Sequence, residues 1–285
     1  MNLANWKRVL AGLWSGCLLL AISCNAYGDV VSILDVNSDV ILNGSDGNSS
    51  AYYEWTIDGN SAATNANFIV GSTGIRYNRL TIDSGQTLDV GGLFRIGTGS
   101  IMYYSTHNRV DVSGTLNVAG NLDISNGYNA TENTLSILAG GVVFADDLEL
   151  YYHWTYGNNW LELNGGTLAL SGDQTASFAE NQQILSSIKI WDAAANEYQR
   201  VGTYAYTSFV LSQEYYDMLS VNFIDDEQAA ASLGLSTDFV GMTLVRNMPA
   251  STPNPVPLPS TMFLFWAGLV MLFGTRRKRN APSSI

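Results

Sequence analysis

The stretch that decides the fold is residues 78–90, which read NRLTIDSGQTLDV. Two apolar residues, Leu80 and Ile82, alternate with polar ones, a glycine follows, and a second alternating pair comes at Leu88 and Val90. Apolar residues at a period of two indicate a β-strand with one buried face, and a glycine between two such strands indicates a turn. The stretch therefore predicts two short strands joined at a corner.

The same pattern occurs three more times along the chain. The further copies read NRVDVSGTLNV at 108–118, NTLSILAGGVVF at 133–144 and NWLELNGGTLAL at 159–170, so the starting asparagines are 30, 25 and 26 residues apart. In the third copy we assign Val142 and Phe144 as the second inward pair. A third apolar pair follows most copies, at Leu93/Ile96, Leu122/Ile124 and Leu148/Leu150.

Equivalent strand phrases every 25–30 residues predict an all-β fold of parallel β-solenoid or β-helix type. The coils should place one residue from each copy in a single inward column, made by Leu80, Val110, Leu135 and Leu161. Asn78, Asn108, Asn133 and Asn159 would then either form a side-chain ladder or serve only as turn residues. An antiparallel sandwich with hairpins at the Asn-Gly pairs 43–44, 126–127 and 164–165 is the alternative.

Sequence patterns on either side of the repeats predict six segments. These are a signal peptide (1–28), an N-terminal cap or poorer coil (29–77), the solenoid repeats (78–172), a C-terminal cap with strands and one short helix (173–249), a proline-rich linker with a sorting motif (250–259), and a transmembrane segment with a basic tail (260–285). In the cap we expect strands at 188–191, 208–211, 220–224 and 239–245, and a helix within 225–234.

The N-terminus has the layout of a secretory signal. Lys7 and Arg8 precede an apolar run, and small residues then lead to a predicted cut between Gly28 and Asp29. A cut after Ala26, or lipidation at Cys24, are weaker alternatives. Both cysteines precede position 28, so the expected mature chain has no disulfide and depends on its core for stability.

Charge is segregated along the chain. The segment 29–259 carries 25 acidic and seven basic residues, a net charge of −18. Such a body repels nucleic acid and anionic lipid, and it disfavours a strongly anionic glycan.

The C-terminus combines three features in a fixed order. Val256, Pro257, Leu258 and Pro259 form a short extended motif, an uncharged apolar run fills residues 261–275, and a stop-transfer cluster follows at Arg276, Arg277, Lys278 and Arg279. This tail resembles the PEP-CTERM class of bacterial sorting signals in its VPLPA-like variant, although Ser260 stands where alanine is common. The resemblance implies transient inner-membrane anchoring and processing by exosortase, a membrane protease-transpeptidase. A simple single-pass anchor is the alternative.

Little in the sequence indicates catalysis. The chain has two histidines and no nucleophile elbow, phosphate loop or metal-ligand spacing, so we expect no catalytic residues, no metal site and no cofactor. Aromatic residues recur in the loops between coils, and Tyr104, Tyr152 and Trp154 are candidates for contact with an extracellular polysaccharide. The alternative is that these side chains fold back as a cover over the core.

We therefore expect an exported, non-enzymatic protein of the cell surface or extracellular matrix, whose partners are exosortase, the inner membrane and an extracellular polysaccharide. The resemblance implies a role beside exopolysaccharide, in biofilm or floc formation. Two alternatives stay open: a polysaccharide lyase or hydrolase on a β-helix, and a permanently anchored adhesin.

Overall fold

The computed structural model describes residues 20–22, 29–31, 38–44, 52–57, 59–63, 66–100, 103–127, 129–150, 159–205 and 208–248. Most of the predicted signal peptide, and all of the predicted sorting motif and transmembrane tail, lie outside these residues. Among the described residues, no helix is both long enough and apolar enough to cross a bilayer.

Three sheets, built mainly from parallel strands, form a β-solenoid of about five turns. The first sheet contains, in order, β1 (Leu20–Ile22), β3 (Val40–Leu42), β6 (Phe68–Val70), β9 (Phe94–Thr98), β13 (Asn121–Asn126) and β17 (Asp147–Leu150). The second contains β2 (Asp29–Val31), β4 (Tyr53–Ile57), β7 (Asn78–Ile82), β11 (Arg109–Val112), β15 (Thr134–Ile137), β18 (Trp160–Leu163), β20 (Ile188–Asp192) and β21 (Glu197–Arg200).

The third sheet begins with β5 (Asn60–Ala63), β8 (Thr87–Val90), β12 (Thr115–Val118), β16 (Val142–Ala145) and β19 (Thr167–Ser171), and it ends with β25 (Met242–Asn247) and β24 (Leu219–Ile224). A small parallel pair, β10 (Ser105–Thr106) and β14 (Ala130–Thr131), lies at one corner. Each complete coil, such as β7, β8 and β9, therefore contributes one strand to each of the three sheets.

The predicted inward column is confirmed. Parallel registers pair Leu80 with Val110, Val110 with Leu135 and Leu135 with Leu161, and these four side chains are fully buried. The column continues in both directions, since Trp55 pairs with Leu80 and Ile188 with Leu161. The sandwich alternative is wrong, because the Asn-Gly pair at 164–165 turns the chain between two different sheets.

Two of the predicted inward pairs were wrong. In the third copy Val143 and Ala145 face the core, not Val142 and Phe144, because Leu116 pairs with Val143. Phe94, not Leu93, is the inward partner of Ile96, since it pairs with Leu122. Side chains alternate at a period of two, so a shift of one residue turns both Val142 and Phe144 outward, and Leu93, three residues before Ile96, lies on the opposite face from it.

The asparagine ladder is confirmed. The Nδ2 of Asn78 donates to Oδ1 of Asn108 at 2.8 Å, and Asn108 donates in the same way to Asn133 at 2.9 Å and Asn133 to Asn159 at 3.2 Å. Each acceptor oxygen also receives the backbone N–H of the preceding asparagine. The four side chains are fully buried, so one corner of the solenoid has a continuous polar core.

Glycine is required at some of the other corners. Gly85 turns the chain with a φ of +81°, in the left-handed region. At the equivalent corner of the second copy, a Cβ on Gly114 would collide with the carbonyl oxygens of Asp83 and Gln86. The glycine in the repeated phrase therefore allows both the turn and the close approach of neighbouring coils.

The segment before the repeats is itself part of the stack. Val40 pairs with Phe68 and Phe68 with Phe94, in parallel registers. The rings of Phe68 and Phe94 stack at 5.4 Å inside the solenoid. Of the two alternatives for residues 29–77, a cap or a further coil, the described residues form coils.

The C-terminal cap contains the predicted strands, although the last one begins at Met242 and not at Phe239, and it has more helix than predicted. Its remaining elements are α1 (Thr175–Glu180), α2 (Gln182–Ser186), β22 (Gly202–Ala205), β23 (Ser208–Leu211), α3 (Gln213–Asp217), α4 (Glu227–Ser232) and a 3₁₀ turn at Thr237–Phe239. The prediction of one short helix was wrong: it found α4, which Asp226 caps by accepting from the N–H of Ala229 at 2.7 Å. The other three helices have only five or six residues, too few to show helical periodicity.

Candidate functional site

The predicted aromatic edge is described at one of its three named residues. Tyr104 lies in the loop after β9 with 44% of its surface exposed, and its neighbour Tyr103 is 58% exposed. The Arg76 guanidinium lies 5.4 Å from the centre of the Tyr104 ring, as in a cation–π contact. Tyr152 and Trp154 are outside the described residues. At the described part of this edge the aromatic rings are displayed to solvent.

A second aromatic row runs along the corner just before the asparagine ladder. Tyr52 meets Tyr77 edge-on at 5.9 Å, and Tyr77 stacks on His107 at 4.7 Å. His107 Nε2 lies 2.5 Å from Oε2 of Glu132. Tyr77, His107 and Glu132 occupy the same place in successive coils, each with a φ near +60°. The row therefore repeats with the coils: each aromatic ring packs against the ring of the next coil, and Glu132 pairs with the last of them, His107.

The outer face of the second sheet contains a feature that the sequence analysis missed, which we call the charged strip. It consists of four cations, Arg79, Arg109, Lys189 and Arg200, and three carboxylates, Glu54, Asp111 and Glu162. These residues alternate with the inward column along their strands and therefore point away from the core.

Two carboxylates at the centre of the charged strip are almost completely buried. Asp111 is 2% exposed and Glu162 is 5% exposed. Asp111 accepts from Nε of Arg79 at 2.5 Å and from Nε of Arg109 at 2.7 Å. Glu162 lies 3.0 Å from Nη1 of Arg109 and accepts from Nζ of Lys189 at 3.1 Å. Arg109 thus links the two acids into one network.

Like charges face each other at both ends of the charged strip. Arg79 lies directly opposite Arg109 on the neighbouring strand, and Lys189 lies directly opposite Arg200. Such cross-strand pairs repel, so each needs a compensating group. Asp111 provides it for the first pair. The Trp160 ring helps at the second, with Lys189 Nζ at 4.0 Å and the Arg200 guanidinium at 4.5 Å from its centre.

The protonation equilibria reflect this partly buried environment. Burial lowers the pKa of Lys189, against the opposing attraction of Glu162. Burial also lowers the pKa of Arg109, but its contacts with Asp111 and Glu162 outweigh this and raise it overall. The guanidinium of Arg109 therefore stays charged, and it holds both acids in their places.

Two tyrosines border the charged strip. Burial raises the pKa of Tyr52, although Arg109 and Arg79 pull it down. Burial likewise raises the pKa of Tyr198, whose hydroxyl lies 3.2 Å from that of Ser136. Tyr52 lies near the arginine pair and Tyr198 near Glu162, so each half of the strip has one neutral phenol beside it.

The chemistry available on this face is that of binding. Both buried carboxylates are paired with cations, and the cations are held as fixed donors with part of their surface exposed. The described residues contain no group of three or more His, Cys, Asp or Glu side chains that could hold a metal ion.

One sequence signal could have revealed the charged strip. Asn-Arg occurs at 78–79 and again at 108–109, so a parallel stack must place the two arginines side by side. Lys189, Arg200 and Glu162 gave no such signal, because Lys189 and Arg200 lie in the predicted cap rather than in a repeat. Only the register of β18, β20 and β21 brings these three side chains together.

The remaining predicted site residues are not placed by the structure. The cleavage residue Gly28, the sorting motif at 256–259 and the stop-transfer cluster at 276–279 lie outside the described residues, while Asp29 begins β2. No protein-family model, curated protein or solved structure matches this chain.

Proposed function

We propose that this chain is an exported, non-enzymatic protein of the cell surface or extracellular matrix, delivered by the secretory pathway and sorted by an exosortase-type membrane protease. The observation that carries the proposal is the sequence of the C-terminal tail, in which a proline motif, an apolar run and four cations follow one another. A stack of hydrogen-bonded coils around a continuous core suits a rigid extracellular element that lacks disulfides.

Processing of the two ends is tested in a host that contains the protease. The mature chain should begin at Asp29 and should lose everything after the motif at 256–259. A double variant, Pro257→Ala with Pro259→Ala, should stay in the inner membrane with its basic tail intact. The matched control is Pro253→Ala, which changes a proline of the linker outside the motif.

Fractionation of cells with and without the protease distinguishes a sorted protein from a permanently anchored adhesin. Without the protease, the full-length chain should accumulate in the membrane. A wild-type chain that keeps residues 276–279 outside the inner membrane contradicts the sorting proposal. A chain that stays anchored whether or not the protease is present indicates a permanently anchored adhesin.

The proposed glycan contact uses the aromatic edge. Tyr103 and Tyr104 offer exposed rings, and an aromatic face with a polar rim suits the apolar face of a sugar ring. The test is retention on the native matrix polysaccharide of variants with Tyr104→Ala, and with Tyr152→Ala and Trp154→Ala together. Val210→Ala, an exposed apolar residue of the cap, is the control. Unchanged retention of the aromatic variants contradicts this contact.

A polysaccharide lyase or hydrolase is a second candidate, favoured by one observation. Asp111, Glu162 and Arg109 converge on the outer face of a sheet, as a catalytic groove would require. Against it, both acids are ion-paired and buried, which leaves neither positioned as a free acid or base. Incubation with matrix polysaccharide should produce no new chain ends; their appearance, and their loss in Asp111→Asn, would favour the enzyme.

A further inference from the structure

The net charge of the charged strip is opposite in sign to that of the rest of the segment 29–259. The segment 29–259 has seven basic residues and a net charge of −18, yet four of those seven lie on this one face. With three carboxylates among them, the strip itself has a net charge of +1. A local reversal of this kind directs anionic groups to one place on a protein that repels them elsewhere.

Both ends of the charged strip keep donor groups free for a ligand. Among the described residues, the ion-pair contacts of Arg79 and Arg109 use Nε and Nη1, which leaves Nη2 of each available as a donor. Arg200 is exposed, and within the described part of the chain it makes no ion pair. The Lys189/Arg200 pair therefore lacks part of the negative charge that would balance it, whereas the Arg79/Arg109 pair contacts Glu54, Asp111 and Glu162.

The donors are also held in place before any ligand arrives. Asp111 accepts hydrogen bonds from both arginines, while Glu162 accepts one from Lys189 and forms an ion pair with Arg109. A guanidinium whose orientation is already set loses less conformational freedom when it binds a carboxylate, and its planar fork matches two oxygens. The buried acids thus act as positioning groups for the cations.

The spacing of the two pairs limits the kind of ligand. The charged groups of Arg109 and Lys189 both contact the Glu162 carboxylate, but Arg79 on β7 and Arg200 on β21 are separated by five strand spacings, about 24 Å. A single small anion cannot reach both Arg79 and Arg200, whereas a linear chain with repeated negative groups can. Such a chain would run parallel to the solenoid axis, with Tyr52 and Tyr198 beside it.

We propose that the charged strip binds a linear polysaccharide that carries carboxylate groups, with the Arg79/Arg109 and Lys189/Arg200 pairs as its two anchors. The carboxylate groups of such a chain suit the strip, because the planar fork of each guanidinium matches two carboxylate oxygens. The two phenols provide hydroxyls and flat surfaces suited to sugar rings. The inference deepens the proposed matrix role, and rests on it for the source of the ligand.

The test measures binding of the purified full-length chain, in mild detergent, to oligomers of alginate, a polyuronate. Arg79→Gln and Arg200→Gln each change one anchor and leave the buried acids paired with Arg109 and Lys189. Each single variant should weaken binding about five- to tenfold, and the double variant should weaken it further. The affinity of the double variant should also depend less on salt concentration than that of wild type. Arg246→Gln, which removes the same charge from the third sheet, is the matched control and should change binding less than twofold.

Neutral dextran and a single-stranded DNA oligonucleotide are the competing probes. Binding of alginate that exceeds both, with loss only in the strip variants, supports the proposal. Equal loss in Arg246→Gln, equal binding of dextran, or tighter binding of DNA overturns it. This measurement is independent of sorting, so a failure here leaves the processing experiment standing, and a failure of sorting leaves this result unchanged.

Discussion

The repeated coils and the C-terminal cap obtain their structure in different ways. In the coils, parallel strands place each residue beside its equivalent, so Leu135 contacts the strands of Val110 and Leu161. In the cap, strands pair antiparallel, as β25 does with β19 and β24, and short helices fill the corners. The coils therefore form one continuous cooperative stack, while the cap ends it with contacts that occur only once.

The two regions also differ in their buried groups. The coils bury apolar columns together with a complete asparagine ladder. The cap extends the main core, for example at Phe178 and Leu185, and it packs against Ala169 of β19 to form a small separate cluster with Ile224, Ala230 and Leu244. A substitution in a column disturbs the packing of both neighbouring coils. A substitution in the cap cluster disturbs the packing of only a few residues. The comparison predicts a graded series of effects.

The largest effect is expected for a charge inside the column. Leu135→Asp places an unpaired carboxylate among fully buried side chains, which costs several kcal/mol and should unfold the coil region. Circular dichroism and thermal melting measure the loss of strand structure. Ala139→Asp, at an exposed corner of the same coil, is the control and should change stability by less than about 0.5 kcal/mol. A folded Leu135→Asp protein would contradict the column.

The next effect is expected at the ladder. Asn133→Ala removes the acceptor of Asn108 and the donor to Asn159, and so leaves buried polar groups without partners. We expect a loss of about 2–4 kcal/mol in the free energy of unfolding, measured by denaturant titration. Asn117→Ala, which breaks an exposed contact with Asp89, should cost less than about 1 kcal/mol. Equal losses in the two variants would show that the ladder adds no stability.

A smaller and more local effect is expected in the cap. The ring of Phe239 stacks on Phe144 at 5.3 Å beside the cap cluster. Phe239→Ala should cost about 1–3 kcal/mol, because the ring is only partly buried. Amide hydrogen exchange should speed up in β24 and β25 and stay slow in β11 and β15. Faster exchange throughout the stack would show that cap and coils unfold as one unit.

The smallest effect concerns pH at the junction of the two regions. Burial raises the pKa of Tyr198 above the ordinary value of 10.0, so the folded chain favours the neutral phenol. The resulting stability is present below pH 10.0 and is lost as the pH rises through the raised pKa. Tyr198→Phe should therefore be less sensitive than wild type to strongly alkaline solution. Melting temperatures that fall in parallel for the two proteins would contradict this.

The sequence by itself determined the architecture of the coils. Because the same sequence pattern recurs, one parallel strand register places Leu80, Val110, Leu135 and Leu161 in a column. The same register aligns the asparagines of the ladder. It also predicted the cap strands and the Asp226 helix, which have local signals. It did not fix the inward pairs of β9 and β16, where adjacent apolar residues offer two frames that differ by one residue.

Only the tertiary structure decided the charged strip. Arg109, Glu162 and Lys189 are 53 and 27 residues apart along the chain, and no local pattern relates a repeat to the cap. Net charge had indicated a surface that repels anions, because composition averages over all faces. The parallel register instead collects four of the seven cations on one sheet. Electrostatic interaction depends on distance in space, and that distance is set by which strands pair.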